Sequence, residues 1–485
     1  MSRIVRELHP EVIQRTTARC RERGIIIPTL RQMREPSLIP PAIAQRLPGI
    51  GLWDVNPLNL FRITWKNDVG TGLFGPVNRI EIPRALTGVK ARIIGLTGKY
   101  FPTGAHKVGA AFGCLVPRLV SGEFDPERHR AVWPSTGNFC RGGAFDCALL
   151  DCTAIAILPE EMSRERFEWL KEIGAEVIAT PGCESNVKEI YDKCWELKED
   201  PLNIIFNQFE EFGNPVFHYA VTGPALEEVF AESSAGGRAA AFVSATGSAG
   251  TLAAGDYLKT RFTGMRTVAT EALQCPTLLL NGFGGHRIEG IGDKHVPWIH
   301  NVRSTDAVAA IDDEDCMRIF RLFNEPAGKQ MLGDLGVEAR TIASLGLLGI
   351  SCVANLLAAI KTARYFELDE HDVILTVFTD SADLYRSRLT ELQAERGPYR
   401  TEDAWRDLEG PLHHQRTDFY KELGYYDRKA IHHLKYYTWV EQQGKTPEEL
   451  AAQWDPEYWS SLFEHEPRLL DELIDAFNRE VGLPA

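Results

Sequence analysis

The sequence predicts an α/β protein, a parallel sheet covered by helices and carried between two extensions of different character. Three observations lead there. Between residues 79 and 390, short β-branched or apolar runs alternate with amphipathic segments of helix length, the pattern of strands joined by helical crossovers. Residues 1–78 lack that alternation and are rich in Arg, Pro and Trp, with an amphipathic stretch from Ile4 to Arg23 and a proline-punctuated run from Pro36 to Pro57. Residues 391–485 turn acidic and aromatic without strand runs, which predicts a helical C-terminal extension.

The strand candidates are Ala91–Leu96, Ala131–Trp133, Ala154–Leu158, Glu176–Ala179, Ile204–Phe206, Ala239–Ser244 and Val373–Phe378. The longest apolar stretch, Ile342 to Ile360, is interrupted by Ser344, Gly346, Gly349, Ser351 and Asn355, and reads as a buried helix rather than a membrane span. No internal repeat or low-complexity segment is visible.

Composition narrows the function classes. With 44% hydrophobic and 25% charged residues, the 485-residue chain can bury a sizeable core. Lys plus Arg is 53 and Asp plus Glu is 67, so the net charge of −14 disfavours unaided binding to nucleic acid or anionic membranes. Any anionic ligand must be held locally. The ten cysteines form no C-x-x-C pair, which argues against a zinc ribbon or dithiol redox site, and no metal is expected. The N-terminal stretch lacks a secretory apolar core, so reduced thiols in a cytoplasm are expected.

Three small-residue loops follow predicted strands, each suited to cradling an anion with backbone N–H groups at a helix start. They are Thr103-Gly-Ala-His-Lys107, Ser135-Thr-Gly-Asn138 and Ala245-Thr-Gly-Ser-Ala-Gly-Thr251. None has P-loop spacing and none is a dinucleotide turn. Each alone is compatible with an ordinary strand–helix turn. Lys107 adds chemistry, because it stands at a helix start where positive dipole and a neighbouring cation lower an amine's pKa. Such an amine can form a Schiff base with an aldehyde cofactor. A solvated surface lysine is the bland alternative, but Val108 to Val116 is almost wholly apolar.

Taken in order, these loops resemble the fold-type II pyridoxal-phosphate enzymes, the cysteine synthase and cystathionine β-synthase group in particular, from about Arg79 to Arg388. The lysine segment is closer in form to tryptophan synthase β chains. The resemblance also rests on Ile157-Leu-Pro-Glu-Glu-Met-Ser163, Gly174-Ala-Glu-Val177, Phe206-Asn-Gln-Phe209, Asn214-Pro215, Tyr219 to Pro224, His286 to Gly292 and Val296-Pro297. It implies two open, twisted, mostly parallel sheets with the active site between domains. The smaller mobile subdomain would span roughly 108–222, and the remainder of 79–390 would form the larger one.

Roles follow from the same resemblance. Lys107 would hold pyridoxal 5′-phosphate as an internal imine and later take the substrate's Cα proton. Thr246, Gly247, Ser248, Ala249, Gly250 and Thr251 would bind the phosphate, a nest suited to a dianion, with His106 assisting. Ser135, Thr136, Gly137 and Gln208 would fix the substrate carboxylate, and Asn138 the ring oxygen. For the pyridine nitrogen, Val377-Phe-Thr379-Asp380-Ser381 is the candidate segment. Alternation along a strand puts Thr379 and Ser381 on one face and Asp380 on the other, and the family's hydroxyl favours Ser381. An inward Asp380 would instead make the ring a stronger electron sink.

The implied reaction is β-replacement on an amino acid with a Cβ leaving group, through an aminoacrylate, with a thiol or sulfide as nucleophile. Two alternatives stand beside it: β-elimination to a 2-oxo acid and ammonia, and a catalytically silent regulatory protein on the same fold. A homodimer acting on a small-molecule substrate is expected, with Trp405, Tyr425, Tyr426, Tyr437, Trp439 and Trp454 as interface anchors. The chain departs from the family at Gly109, where many relatives carry Arg, and at Phe139-Cys140-Arg141. Phe139 removes a hydroxyl that helps hold the carboxylate. Arg141 either replaces that contact or recognises a second acidic group on the substrate.

Overall fold

A computed structural model describes residues 2–483, except 136, 163, 183–186, 234–235 and 293. The alternating pattern resolves into two sheets. The larger runs, from edge to edge, Tyr420–Glu422, Ala307–Ile311, Arg266–Ala272, Arg238–Ala245, Asp372–Phe378, Arg92–Thr97 and Arg79–Ile82. Its inner pairings are parallel, and only the two edge strands run antiparallel. Asp372–Phe378 is buried at every position, as expected of a central parallel strand covered on both faces. The smaller sheet is wholly parallel, in the order Glu176–Thr180, Thr153–Pro159, Arg130–Pro134 and Asn203–Ile205.

Each of the seven expected strands forms, with ends shifted by a residue or so. Arg79–Ile82, Arg266–Ala272 and Ala307–Ile311 are additional strands; the last is an Ala-rich run with a weak β signal. The C-terminal extension is not purely helical. Tyr420–Glu422 leaves it to pair with Ala307–Ile311 and covers an edge that would otherwise stay open.

The two extensions meet each other on the back of the helix Lys107–Ser121. Pro10–Arg23 lies against both that helix and the long C-terminal helix Pro456–Val481. Asn478 Oδ1 accepts from the Ile27 N–H at 3.1 Å while its Nδ2 donates to the Ile27 carbonyl at 2.7 Å, a strand-like pairing made by one side chain. Asp471 accepts from the Leu30 N–H at 2.6 Å and pairs with Arg31 at 3.0 Å. The segment between Pro36 and Trp65 then brings Trp53 against Trp169 and Trp65 against His106.

Among the described residues no single helix is long and apolar enough to cross a membrane; the apolar stretch is divided into Ala339–Leu345 and Ile350–Tyr365, bent by 116°. Nine described cysteines are free thiols.

Candidate active site

Both sheets present the C-terminal ends of their strands to one cavity, the position that open α/β sheets use for ligands. The larger sheet supplies the lysine segment, the Gly-rich cup and Thr379; the smaller supplies Ser135, Asn138, Phe139 and Gln208. Ser351 comes from the start of the helix Ile350–Tyr365.

The cup joins Arg238–Ala245 to the helix Leu252–Arg261. Ala249 lies in the left-handed region at φ 63° and Thr251 is right-handed, an alternation that turns successive N–H groups to one side. Close approach explains the small residues. A Cβ on Gly247 would stand 2.6 Å from the Gly290 carbonyl oxygen, and one on Gly250 would stand 2.0 Å from Asn214 Oδ1. Ser248 Oγ accepts from Asn214 Nδ2 at 3.0 Å, and Thr251 Oγ1 lies 2.8 Å from Ser244 Oγ. Gly247, Ser248, Ala249 and Thr251 line the cavity. Gly250 abuts Asn214 instead, and Thr246 Oγ1 turns away to donate to the Thr270 carbonyl at 2.9 Å.

Lys107 opens its helix after a strained approach through Thr103 and Gly104, both at positive φ. Its Nζ donates to Ser248 Oγ at 2.8 Å and to Gln208 Oε1 at 3.0 Å, and so spans the two lobes. Phe139 lies face-on to it at 6.0 Å. His106 is buried beside Trp65 and His218, and its backbone N–H donates to the Thr379 carbonyl at 3.1 Å. Burial, with the Lys107 charge alongside, holds its imidazole down at about 3, so the ring is neutral. At Gly109 the ring of Phe217 stands 2.0 Å from where a Cβ would go, which leaves no room for the arginine many relatives carry.

On the opposite wall, Gln208 Nε2 donates to Ser135 Oγ at 3.3 Å, which brings together two of the expected carboxylate ligands. Thr136 lies outside the described residues. Gly137 precedes the helix Asn138–Leu149, and a Cβ there would meet the Arg166 guanidinium at 2.6 Å. Asn138 Nδ2 donates to Asp380 Oδ2 at 2.6 Å, and Tyr385 O–H donates to the same oxygen at 2.6 Å. Burial raises the Asp380 pKa, while those two donors and the Arg166 charge pull the other way.

Asp380 is fully buried outside the cavity lining and orients Asn138. Ser381 requires a correction. The strand ends at Phe378, so alternation extends to neither Asp380 nor Ser381; Ser381 is buried ahead of the short turn Ala382–Tyr385 and does not line the cavity. The hydroxyls that do are Thr379 and Ser351, 3.1 Å apart. Ser351 was missed. Its signal was a hydroxyl directly after Gly349-Ile350 at the head of an apolar helix, where it reads as one more interruption.

The donor set fits a flat aldehyde-bearing ring attached to a dianion. The nest suits the dianion, the Lys107 amine the aldehyde, and the Ser351–Thr379 hydroxyls a ring nitrogen. Two buried atoms of cavity-lining residues, Asn138 Oδ1 and His106 Nε2, have no hydrogen-bond partner. The family of pyridoxal-phosphate dependent enzymes matches residues 89–332, half of the chain. The chain belongs to this family. A cysteine synthase of Staphylococcus aureus (strain N315) is 32% identical over 257 residues, covering 53% of this chain and 75% of the relative. The cystathionine beta-synthase of Saccharomyces cerevisiae is 27% identical over 321 residues, 64% of this chain and 60% of the relative.

Solved structures of the same fold include the O-acetylserine dependent cystathionine beta-synthase from Helicobacter pylori, with a TM-score of 0.53, 25% identity and coverage of 64% of this chain and 94% of that one. A hydrogen sulfide-producing enzyme from Fusobacterium nucleatum also has a TM-score of 0.53 and 25% identity, covering 65% and 88% respectively. The family's cofactor is pyridoxal phosphate, and the fold is that of its fold-type II members.

Proposed function

We propose that the chain catalyses replacement at Cβ of an amino acid carrying a leaving group there, with a thiol or sulfide as the incoming nucleophile. The observation that carries this reading is Lys107 Nζ, held between Ser248 Oγ and Gln208 Oε1 over a nest suited to a dianion. Lys107, the Gly247–Thr251 cup, Asn138 and Ser351 with Thr379 would hold pyridoxal phosphate, which supplies an electron sink for negative charge at the substrate's Cα.

This chain's residues do the rest. Ser135 and Gln208 bind the α-carboxylate, joined by Thr136 on the family pattern. Lys107 Nζ takes the proton from Cα and returns it after the nucleophile has added. Asn138, oriented by Asp380 and Tyr385, fixes the ring plane. The neutral hydroxyls of Ser351 and Thr379 would leave the bound cofactor a mild sink, suited to loss of a β-substituent. Phe139 closes one wall with an apolar face and helps exclude water.

β-Elimination is the second reading, supported by the likeness to the hydrogen sulfide-producing enzyme. Purified protein loaded with pyridoxal phosphate is given O-acetylserine with and without sulfide. Cysteine formation dependent on sulfide is expected. Pyruvate release alone would establish the lyase, and neither product from a protein that binds the cofactor would establish a silent fold.

We also propose a homodimer in a reducing cytoplasm. Tyr425, Tyr426 and Tyr437 are exposed in a single chain, as a covered interface requires, whereas Trp439 is buried in its own chain and donates to the Val296 carbonyl at 2.8 Å. A monomeric mass by sedimentation would refute the dimer.

A further inference from the structure

Arg141 is a buried cation that the reaction described above does not use. It is 5% exposed, and among the described residues its guanidinium has no hydrogen bond and no ion pair; Nε is buried without a partner. Two tryptophans cage it instead: its Cζ lies 5.4 Å from the Trp53 ring and 4.8 Å from the Trp169 ring, and those rings meet edge-on at 5.6 Å. Burial, with the charge of Arg166 nearby, lowers its pKa to about 10, which still leaves it charged at neutral pH.

Its place explains where an anion would come from. Arg141 stands three residues after Asn138 in the helix Asn138–Leu149, on the same face, and helical side chains reach back toward the helix N-terminus. That N-terminus, with its positive end, is the rim of the cavity. The other buried arginine there, Arg166, is already paired with Glu289 at 2.8 Å. Arg141 therefore contributes positive charge with no acid paired to it, beside a site that binds an amino acid. Arg141 stands one turn beyond Asn138 and, unlike Asn138, Ser135 and Gln208, is not itself part of the cavity lining, so it is not a substitute for the α-carboxylate ligands. Trp53, one wall of the cage, is 42% exposed.

We propose that Arg141, caged by Trp53 and Trp169, binds a second oxyanion on the substrate amino acid, so that the enzyme prefers a donor with an acidic group on its side chain. Burying an unpaired guanidinium is costly, and the cost is recovered when a ligand supplies the charge-assisted hydrogen bonds. A planar guanidinium between aromatic faces is pre-organised for a carboxylate or phosphate.

The proposal rests on the replacement reading, and the test separates the two. With holoenzyme and fixed sulfide, kcat/KM is measured for O-phosphoserine and O-acetylserine in the wild type, Arg141→Lys and Arg141→Met. The wild type is expected to favour O-phosphoserine. Arg141→Met should lose at least about 10-fold on it and under about 3-fold on O-acetylserine, with Arg141→Lys between. Equal losses on both donors, or none, overturn the proposal. Should Arg141→Met not fold, inorganic phosphate is tested as an inhibitor of the wild type: competition with O-acetylserine supports the site, and absent or non-competitive inhibition overturns it. If the wild type turns over neither donor, the replacement reading falls; quenching of tryptophan fluorescence by O-phosphoserine, weakened in Arg141→Lys, then tests Arg141 alone, and no quenching overturns it.

Discussion

The two walls of the cavity are built on the same plan, a parallel strand, a short loop and a helix start, yet they are held by different means. The cup at Ala245–Thr251 is set by backbone. Its glycines touch the Gly290 carbonyl and Asn214, and Ala249 accepts a left-handed conformation. The wall at Ser135–Asn138 is set by side chains that reach across from the other sheet, Asp380 and Tyr385 holding Asn138. A cup shaped by such close approach tolerates no added atom. A side-chain site can be retuned one hydrogen bond at a time, and Phe139 and Arg141 are where this chain departs from the family pattern.

Substitutions can break this contrast in order of severity. Lys107 belongs to both walls, so Lys107→Ala should cost roughly three orders of magnitude or more in kcat/KM, and abolish the covalent cofactor absorbance measured in the same samples. Gly247→Ala places a methyl 2.6 Å from a carbonyl oxygen, and a titration should show cofactor affinity reduced about 10-fold or more. Gly49→Ala meets nothing within 4 Å and serves as the control that leaves affinity unchanged.

At the seam between the lobes, His295 lies against Tyr191, Phe209 and Trp439, and burial holds its imidazole down at about 4. Its folded pKa lies below the unfolded value. The unfolded chain therefore binds the extra proton between those values, and stability is lost as pH falls through that window. His295→Gln removes the term. From pH 7 to pH 5, its stability relative to wild type should improve by about 2 kcal/mol in denaturant titrations, and an unchanged gap would sink the assignment. Tyr385→Phe removes one of the two donors to Asp380 Oδ2. It should lower kcat/KM about 5-fold, near 1 kcal/mol, with cofactor affinity unchanged. A loss of affinity equal to that of Gly247→Ala would erase the distinction between the walls.

The strand–loop–helix units were legible in the chain because their signals are local. Ala245-Thr-Gly-Ser-Ala-Gly-Thr251 must be small, and a lysine opening an apolar helix is conspicuous, so cup, lysine and asparagine loop could all be read in order. What only the tertiary structure decided lies where periodicity stops or partners are distant. The strand ends at Phe378, which removed Ser381 from the cavity, and a helix start some 30 residues earlier supplied Ser351. Tyr420–Glu422 became a strand because an open sheet edge was there to satisfy its backbone, not through any run of its own. Trp53, distant in sequence, meets Arg141 only in the folded chain. A pattern of polar and apolar residues states which face of an element is buried. Which distant element buries it, and which polar groups then meet, is decided only when the layers pack.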